Sequence, residues 1–124
     1  MQRVLRGVLQ PQEVEVYFII PAIRKALAQA MKKQGLEQKD IAHKLGLTPS
    51  AISQYIHNKR AADLDLGLDD EVEVSAKRIT DTLSMFTETQ RLLQLARSTK
   101  VLCKIHEKIG GAPRKCDACF PEAT

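Results

Sequence analysis

The sequence predicts an all-α protein, and three features of the chain lead to that prediction. Aromatic residues make up only 4% of the 124 residues and Trp is absent, so the core has to be built from Leu, Ile, Val and Ala. Apolar residues recur at intervals of three and four along most of the chain, which is the spacing of one helix face. Pro and Gly stand where these stretches begin and end. The length allows one compact domain, or one small domain with an appended module.

The N-terminal region is predicted to be an extended arm followed by a helix. The stretch EVEVYFII at residues 13–20 starts with polar and apolar residues in alternation and ends apolar, which fits a short strand or arm. A helix is predicted from Pro21, because Pro is tolerated in a first turn and Leu27 and Met31 follow at helical spacing. Gly35 is expected to end this helix.

The central region is predicted to form two short helices joined by a tight turn. Gly46 breaks the first helix, Thr48 can cap the second, and Pro49 suits the first turn of that second helix, at about residues 49–56. Each helix has one apolar side, formed by Ile41, Ala42 and Leu45 in the first and by Ala51, Ile52, Tyr55 and Ile56 in the second.

The C-terminal half is predicted to contain a linker and two further helices. Residues 61–71, AADLDLGLDDE, are acidic around a Gly and are typical of a connecting loop. Apolar residues at intervals of three and four then predict a helix over residues 70–85. Thr87 and Gln90 match a capping box at the start of a long helix that is predicted to continue to Ile109, where two glycines follow.

Charge is distributed unevenly along the chain. Residues 1–60 contain ten Lys or Arg and four acidic residues, whereas residues 61–124 contain nine and eleven. A basic half is typical of a protein with a polyanionic partner, although it supports that interpretation only beside a motif. No apolar run reaches the roughly 18–20 residues of a membrane span, and the first residues lack the apolar core of a signal peptide. We therefore expect a cytoplasmic protein with no membrane partner.

The paired helices have the residues that a DNA-reading bihelix needs. Two short helices that cross steeply require a small residue at their contact, here Ala42, and a turn residue that tolerates positive φ, here Gly46. Ile52 would then lock the second helix onto the first. The stretch QKDIAHKLGLTPSAISQYIHNKR resembles the helix-turn-helix of the phage-repressor and Cro-like (XRE-type) transcription factors. The wider chain is similar to a small, mainly archaeal branch of such regulators with C-terminal Cys and His residues.

The resemblance and the geometry of the motif imply roles for individual residues. The second helix would present its first turn and outer face to the major groove of double-stranded DNA, and similarity to the family puts Ser50 and Gln54 at base-reading positions. Because one bihelix offers few base contacts, a homodimer on two half-sites is expected, joined by the arm or by the helices after residue 72. The expected base-reading residues are Ser50, Ser53, Gln54 and His57. The expected phosphate contacts are Gln38, Lys39, Thr48, Lys59 and Arg60.

All three cysteines lie close to a histidine in the last quarter of the chain. Cys103 and His106 are three residues apart on a predicted helix, and Cys116 and Cys119 form a CxxC pair. Three thiolates and one imidazole match a tetrahedral structural zinc site. An iron-sulfur cluster on the same ligands would make the protein a redox sensor, and a reversible disulfide between Cys116 and Cys119 is a third interpretation.

These features predict a domain organisation and a function. The expected regions are an arm at residues 1–20, a helix-turn-helix at 21–62 and a helical extension with a metal-binding knuckle at 63–124. No phosphate-binding glycine loop, nucleophile elbow or zinc-protease motif is present in the sequence, so we expect no enzyme. The predicted function is sequence-specific transcriptional regulation. The alternative is an iron-sulfur or thiol redox protein that binds a protein partner through its basic face.

Overall fold

The computed structural model describes residues 8–57, 64–109, 116, 118 and 119, and all regular secondary structure in these residues is helical. The all-α prediction is confirmed for this part of the chain. None of the helices described is long and apolar enough to cross a membrane. In chain order the elements are α1 (Pro11–Val14), a π-helical segment (Glu15–Ile19), α2 (Ile20–Lys33), α3 (Gln38–Leu45), α4 (Pro49–Ile56), α5 (Asp69–Arg78), α6 (Thr82–Ser98) and α7 (Val101–Ile109).

Residues 11–33 form one continuous helix, the long helix, so the prediction of a strand or extended arm at residues 13–20 is wrong. The Gln10 N–H donates to the Glu13 carboxylate at 2.8 Å, which starts the helix with a capping interaction. Val14 and Ile19 are both 0% exposed. Burial of this helical face outweighs the strand preference of its branched and aromatic residues, because propensity is a weak determinant beside tertiary packing.

The π-helical segment explains how the long helix passes through Pro21. The Ile20 N–H bonds to the carbonyl of Glu15, five residues earlier, so the ladder is one residue wider here than in an α-helix. Pro21 has no N–H to donate, and in an α-helix its ring would collide with the carbonyl of Tyr17. The wider turn gives the ring room and keeps the helix continuous.

The C-terminal half of the long helix is the centre of the core. Ile23, Leu27 and Met31 on α2 are almost completely buried, and α2 packs against α5, α4 and α3. Leu66 and Leu68, which precede α5, are also buried in the same core. α6 packs on α5, and α7 packs on α1 and α6. The bihelix and the C-terminal extension therefore share one core.

The helix boundaries in the C-terminal half differ from those that the sequence predicts. α5 ends at Arg78, and the Asp81 carboxylate caps α6 by accepting from the Ser84 N–H at 2.8 Å. The Ser84 hydroxyl completes this capping box in the place where the sequence rule expects Glu or Gln. Hydrogen bonds from the Ser84 hydroxyl and then from the Ser84 N–H lower the pKa of Asp81, and desolvation opposes them.

The predicted long helix to Ile109 is also interrupted. Thr87 and Gln90 lie inside α6, and the Thr87 hydroxyl donates to the Leu83 carbonyl at 2.9 Å instead of capping a helix. The helix is interrupted at Thr99 and Lys100, between α6 and α7, and Lys100 has a φ of +62°. A left-handed conformation at a non-Gly residue is uncommon, which is why the sequence does not indicate this break.

Candidate functional site

The turn between α3 and α4 has the construction that the sequence predicts. Gly46 has a φ of +66°, in the left-handed region where a residue with a Cβ is strained. The Leu47 N–H donates to the Ala42 carbonyl at 2.9 Å, which closes the end of α3. The Thr48 hydroxyl oxygen accepts from the Ala51 N–H at 3.1 Å and caps α4. The predicted roles of Gly46 as helix end and Thr48 as cap are confirmed.

One face of α4 is fixed in the core, and this determines which face is exposed. Ile52 is 0% exposed, and Ala51 and Tyr55 are also buried. Because side chains three and four residues apart share a helix face, Ser50 and Gln54 are directed away from the core, and both are exposed. In the described part of the chain, neither of these two side chains makes a hydrogen bond. Their donors and acceptors are available to a partner.

The other two expected base-reading residues are bonded to each other. His57 lies just beyond α4, and its Nδ1 is 2.8 Å from the Ser53 carbonyl oxygen. A carbonyl only accepts, so Nδ1 donates and Nε2 remains the outward nitrogen. The Ser53 hydroxyl is 3.4 Å from the same Nδ1, and Ser53 is only half-exposed. This pair is less available to a base edge than Ser50 and Gln54 are.

The expected phosphate contacts surround the ends of the bihelix. Gln38 and Lys39 form the first turn of α3, where the N–H groups have no partner within the helix. Lys39 pairs with Glu37 at 3.7 Å, and both side chains are about three-quarters exposed, so a phosphate can replace this weak ion pair. Lys59 and Arg60 lie outside the described residues. The hydroxyl of the remaining candidate, Thr48, already has its oxygen in the cap of α4.

The C-terminal extension supports the bihelix from one side. The Lys44 ammonium on α3 donates to the Ile79 carbonyl, just after α5, at 3.1 Å. A Cβ placed on Gly46 would lie 3.8 Å from Cε of Met85, so the start of α6 lies against the turn of the bihelix. On the same helix, Leu83 is 73% exposed and Phe86 is 58% exposed. Two large apolar side chains therefore lie on the surface near the start of α6.

A buried polar group joins α5 to α6. The Ser75 hydroxyl donates to Oε1 of Glu88 at 2.8 Å, and Arg91 donates to the same oxygen from Nη2 at 3.0 Å. Burial raises the pKa of Glu88, but the Ser75 and Arg91 hydrogen bonds and the Arg91 charge together lower it below its ordinary value. Sequence reasoning missed this group. The one indication was the spacing of Glu88 and Arg91, which are three residues apart on a helix.

The four expected metal ligands lie around one small cavity. Cys103 and Cys119 are half-buried, His106 is buried and Cys116 is exposed. A cavity of about 20 Å³ is lined by these four residues together with Pro11 and Glu107. As the side chains are placed, no three Cys, His, Asp or Glu of the described chain form a ready metal-binding group. The structure collects the four side chains without converging them on one point.

The thiols of this cavity interact with one another. The pKa of Cys103 is raised, first by burial and then by the negative charges that Cys119 and Cys116 would carry. A hydrogen bond with Cys119 adds to the shift. All three cysteines are free thiols in the described chain, and the disulfide between Cys116 and Cys119 stays one of the alternative interpretations.

His106 connects the cavity to the beginning of the described chain. Its Nε2 lies 2.7 Å from the carbonyl oxygen of Leu9, 97 residues earlier. The carbonyl can only accept, so Nε2 carries the proton and Nδ1 has the free lone pair. Arg97 on α6 forms a second tie by donating to the Glu15 carboxylate at 2.6 Å. Neither contact could be predicted from sequence spacing, because both join residues more than 80 positions apart.

Comparison with known proteins supports the interpretation of the bihelix as a helix-turn-helix. Residues 27–66, about a third of the chain, match the model of a helix-turn-helix family of the XRE type. Neither the curated proteins nor the solved structures contain a significant match to this chain. The matched residues include α3, the turn and α4, and the family consists of DNA-binding regulators.

Proposed function

We propose that this protein is a sequence-specific, double-stranded DNA-binding transcriptional regulator whose recognition helix is α4. The observation that carries the proposal is the orientation of α4 within the family match: Ile52 is fixed in the core while Ser50 and Gln54 are exposed without internal hydrogen bonds. No catalytic role is proposed. The similarity of the whole chain to the archaeal branch, and a cytoplasmic location, remain predictions.

The proposed DNA contacts differ in what they read. Gln54 can make a bidentate contact to adenine in the major groove, whereas the single hydroxyl of Ser50 discriminates weakly. Ser53 and His57 are second in rank, because they bond to each other. The first turn of α3, with Gln38 and Lys39, would bind phosphate through N–H groups and the ammonium. The remaining proposed phosphate contacts are Thr48, Lys59 and Arg60.

We propose that the regulator acts as a homodimer joined through the start of α6. Every exposed side chain of residues 82–90 is uncharged, since Glu88 is buried. Depletion of charge with exposed aromatic and aliphatic residues is typical of the core of a protein interface. Leu83 and Phe86 lie on the first two turns of α6, as does Met85, the residue that faces Gly46, so a second copy docked on this part of α6 would bring two recognition helices near one another.

The C-terminal cysteines and His106 are proposed as a metal site of this regulator. Its support is the collection of Cys103, His106, Cys116 and Cys119 around one cavity. Zinc would give the site a structural role, and an iron-sulfur cluster would give it a redox-sensing role. The second of these is also the basis of the alternative function, a redox protein whose basic face binds a protein partner.

Selection from a pool of random DNA duplexes tests the proposed function. The purified protein should enrich one motif with two related half-sites. Its affinity should fall steeply with salt, because Lys39, Lys59 and Arg60 of two subunits would neutralise phosphates, with a slope of log K against log salt of about −5. Enrichment of no motif, together with equal affinity for all duplexes, would refute sequence-specific regulation. That result combined with a tight protein complex would favour the redox alternative.

A further inference from the structure

We propose that Cys103, His106, Cys116 and Cys119 bind a single zinc ion, and that this ion holds the N-terminal end of the long helix against α7. The inference rests on the proposed metal site but does not depend on DNA binding. It assigns both the occupant of the site and its mechanical role.

The donor atoms suit zinc in number and kind. Three thiols and one imidazole are the ligand set of a tetrahedral Cys₃His site, and all four side chains line one cavity. The Nε2–H of His106 donates to the carbonyl of Leu9, which leaves Nδ1 as the available ligand atom. A histidine that ligates a metal almost always donates its other N–H in this way, which fixes the ring and its tautomer. An inert surface histidine would not need this bond, and His106 is buried.

The size of the cavity distinguishes one ion from a cluster. A volume of about 20 Å³ corresponds to little more than one water molecule. A zinc ion fits such a space, and the surrounding thiols would have to rotate to bring sulfur to the roughly 2.3 Å that zinc requires, because no three ligands of the described chain converge as placed. An iron-sulfur cluster contains several iron and sulfide atoms and would have to push the lining residues apart.

The cavity lies where three parts of the chain meet. α7 supplies Cys103, His106 and Glu107, the CxxC pair supplies Cys116 and Cys119, and Pro11 at the start of the long helix completes the lining. His106 also bonds to the segment just before Pro11. An ion that immobilises His106 would therefore strengthen its bond to Leu9 and fix the N-terminal end of the long helix. Without the ion, the single His106–Leu9 hydrogen bond and the packing of α7 on α1 would have to hold this end.

Metal analysis of the full chain tests the occupant. Protein stripped with a chelator should rebind one equivalent of Zn²⁺, and Co²⁺ should give the intense visible bands of a tetrahedral site with a thiolate-to-cobalt absorption. Cys116→Ser should abolish stoichiometric binding, and His106→Ala should weaken it by about tenfold or more while the thiolate absorption persists. The matched control His43→Ala, an exposed histidine on α3, should bind like the parent protein.

Three outcomes would overturn the assignment. Iron with sulfide in anaerobically purified protein would replace zinc by a cluster. A Cys103–Cys119 disulfide with no stoichiometric metal would replace the site by a thiol pair. Unchanged zinc affinity of His106→Ala, with a helix content equal to that of the parent, would remove His106 from the ligand set.

Hydrogen exchange measured by mass spectrometry tests the mechanical role. Zinc removal should speed exchange in a peptide covering residues 8–20 much more than in one covering residues 38–56. Equal change in both peptides, or none in the first, would refute the clamp even if zinc binds. Gln54→Ala should retain zinc, so failure of the zinc site and failure of DNA recognition can be told apart.

Discussion

The orientation of α4 predicts different effects on stability for substitutions at Ile52 and Gln54, which lie about half a helical turn apart. Ile52 is 0% exposed, so Ile52→Ala removes three buried carbon atoms at the contact of α4 with the core. Large-to-small changes of this kind cost about 2–5 kcal/mol, and the better helix propensity of Ala returns about 0.4 kcal/mol. We expect a loss of about 3 kcal/mol in the free energy of unfolding. For a domain of this size the melting temperature would fall by about 10–20 °C.

Gln54→Ala is the matched control on the same helix. Its side chain is exposed and makes no hydrogen bond in the described part of the chain, so its removal should change stability by no more than about 0.5 kcal/mol. Thermal and urea unfolding followed by circular dichroism measure both variants. A loss below about 1 kcal/mol for Ile52→Ala, or a comparable loss for Gln54→Ala, would show that the proposed recognition face is turned the wrong way.

Three further predictions concern the cap, the buried polar group and the proposed dimer. Thr48→Ala should cost about 1 kcal/mol in unfolding experiments, and Thr48→Ser should recover most of it, because the cap needs only the hydroxyl oxygen; equal losses would exclude the cap. The lowered pKa of Glu88 means that its contribution to stability is present above its unfolded pKa and is lost as pH falls through the lower folded value. Glu88→Gln should therefore be destabilising at pH 7. In urea melts at different pH, the difference in unfolding free energy from the parent should shrink below about pH 4. A difference that stays constant with pH would show that the effect does not come from the ionised pair of Glu88 with Arg91. Leu83→Glu with Phe86→Glu should convert a dimer to a monomer in sedimentation analysis while the helix content stays that of the parent, and an unchanged dimer would move the interface away from α6.

The sequence indicated the bihelix well because its signals are local. Gly46 at the turn, Thr48 at the cap and Ile52 in the core each act within a few residues, and each takes the predicted conformation or environment. The assignment of base-reading residues adds only helical periodicity to these facts. The contact between Ser53 and His57 could not be predicted from the sequence. It makes two of the four expected base-reading residues less available to DNA.

The errors at the N-terminal region and in the C-terminal half have physical causes. Residues 13–20 have the composition of a strand, but burial of Val14 and Ile19 against other helices determines their structure. The break before α6 uses Ser84 where the capping rule expects a longer polar residue, and the break before α7 uses Lys100 in a left-handed conformation. In the sequence, Ser84 and Lys100 look like ordinary residues within a helix. Only the packing of α5, α6 and α7 shows that the helices are interrupted there.

Part of the cysteine site could be predicted and part could not. Spacing alone grouped Cys103 with His106 and Cys116 with Cys119, and the structure places all four around one cavity. The bond from His106 to Leu9 depends on the path of the whole chain, since it joins residues at opposite ends of the sequence. Long-range contacts of this kind determine which tautomer of a histidine is present, and sequence spacing does not report them.

The most direct test of DNA recognition by α4 compares parent and Gln54→Ala affinities for a selected duplex and for its single-base variants at fixed salt. We predict that the parent discriminates against one substituted adenine per half-site by about 1–3 kcal/mol, and that Gln54→Ala loses this preference at that position alone. Its affinity for unrelated duplexes should be unchanged, because phosphate contacts provide that binding. Uniform weakening on all duplexes, or full retention of the base preference, would contradict the assignment of α4 as the recognition helix.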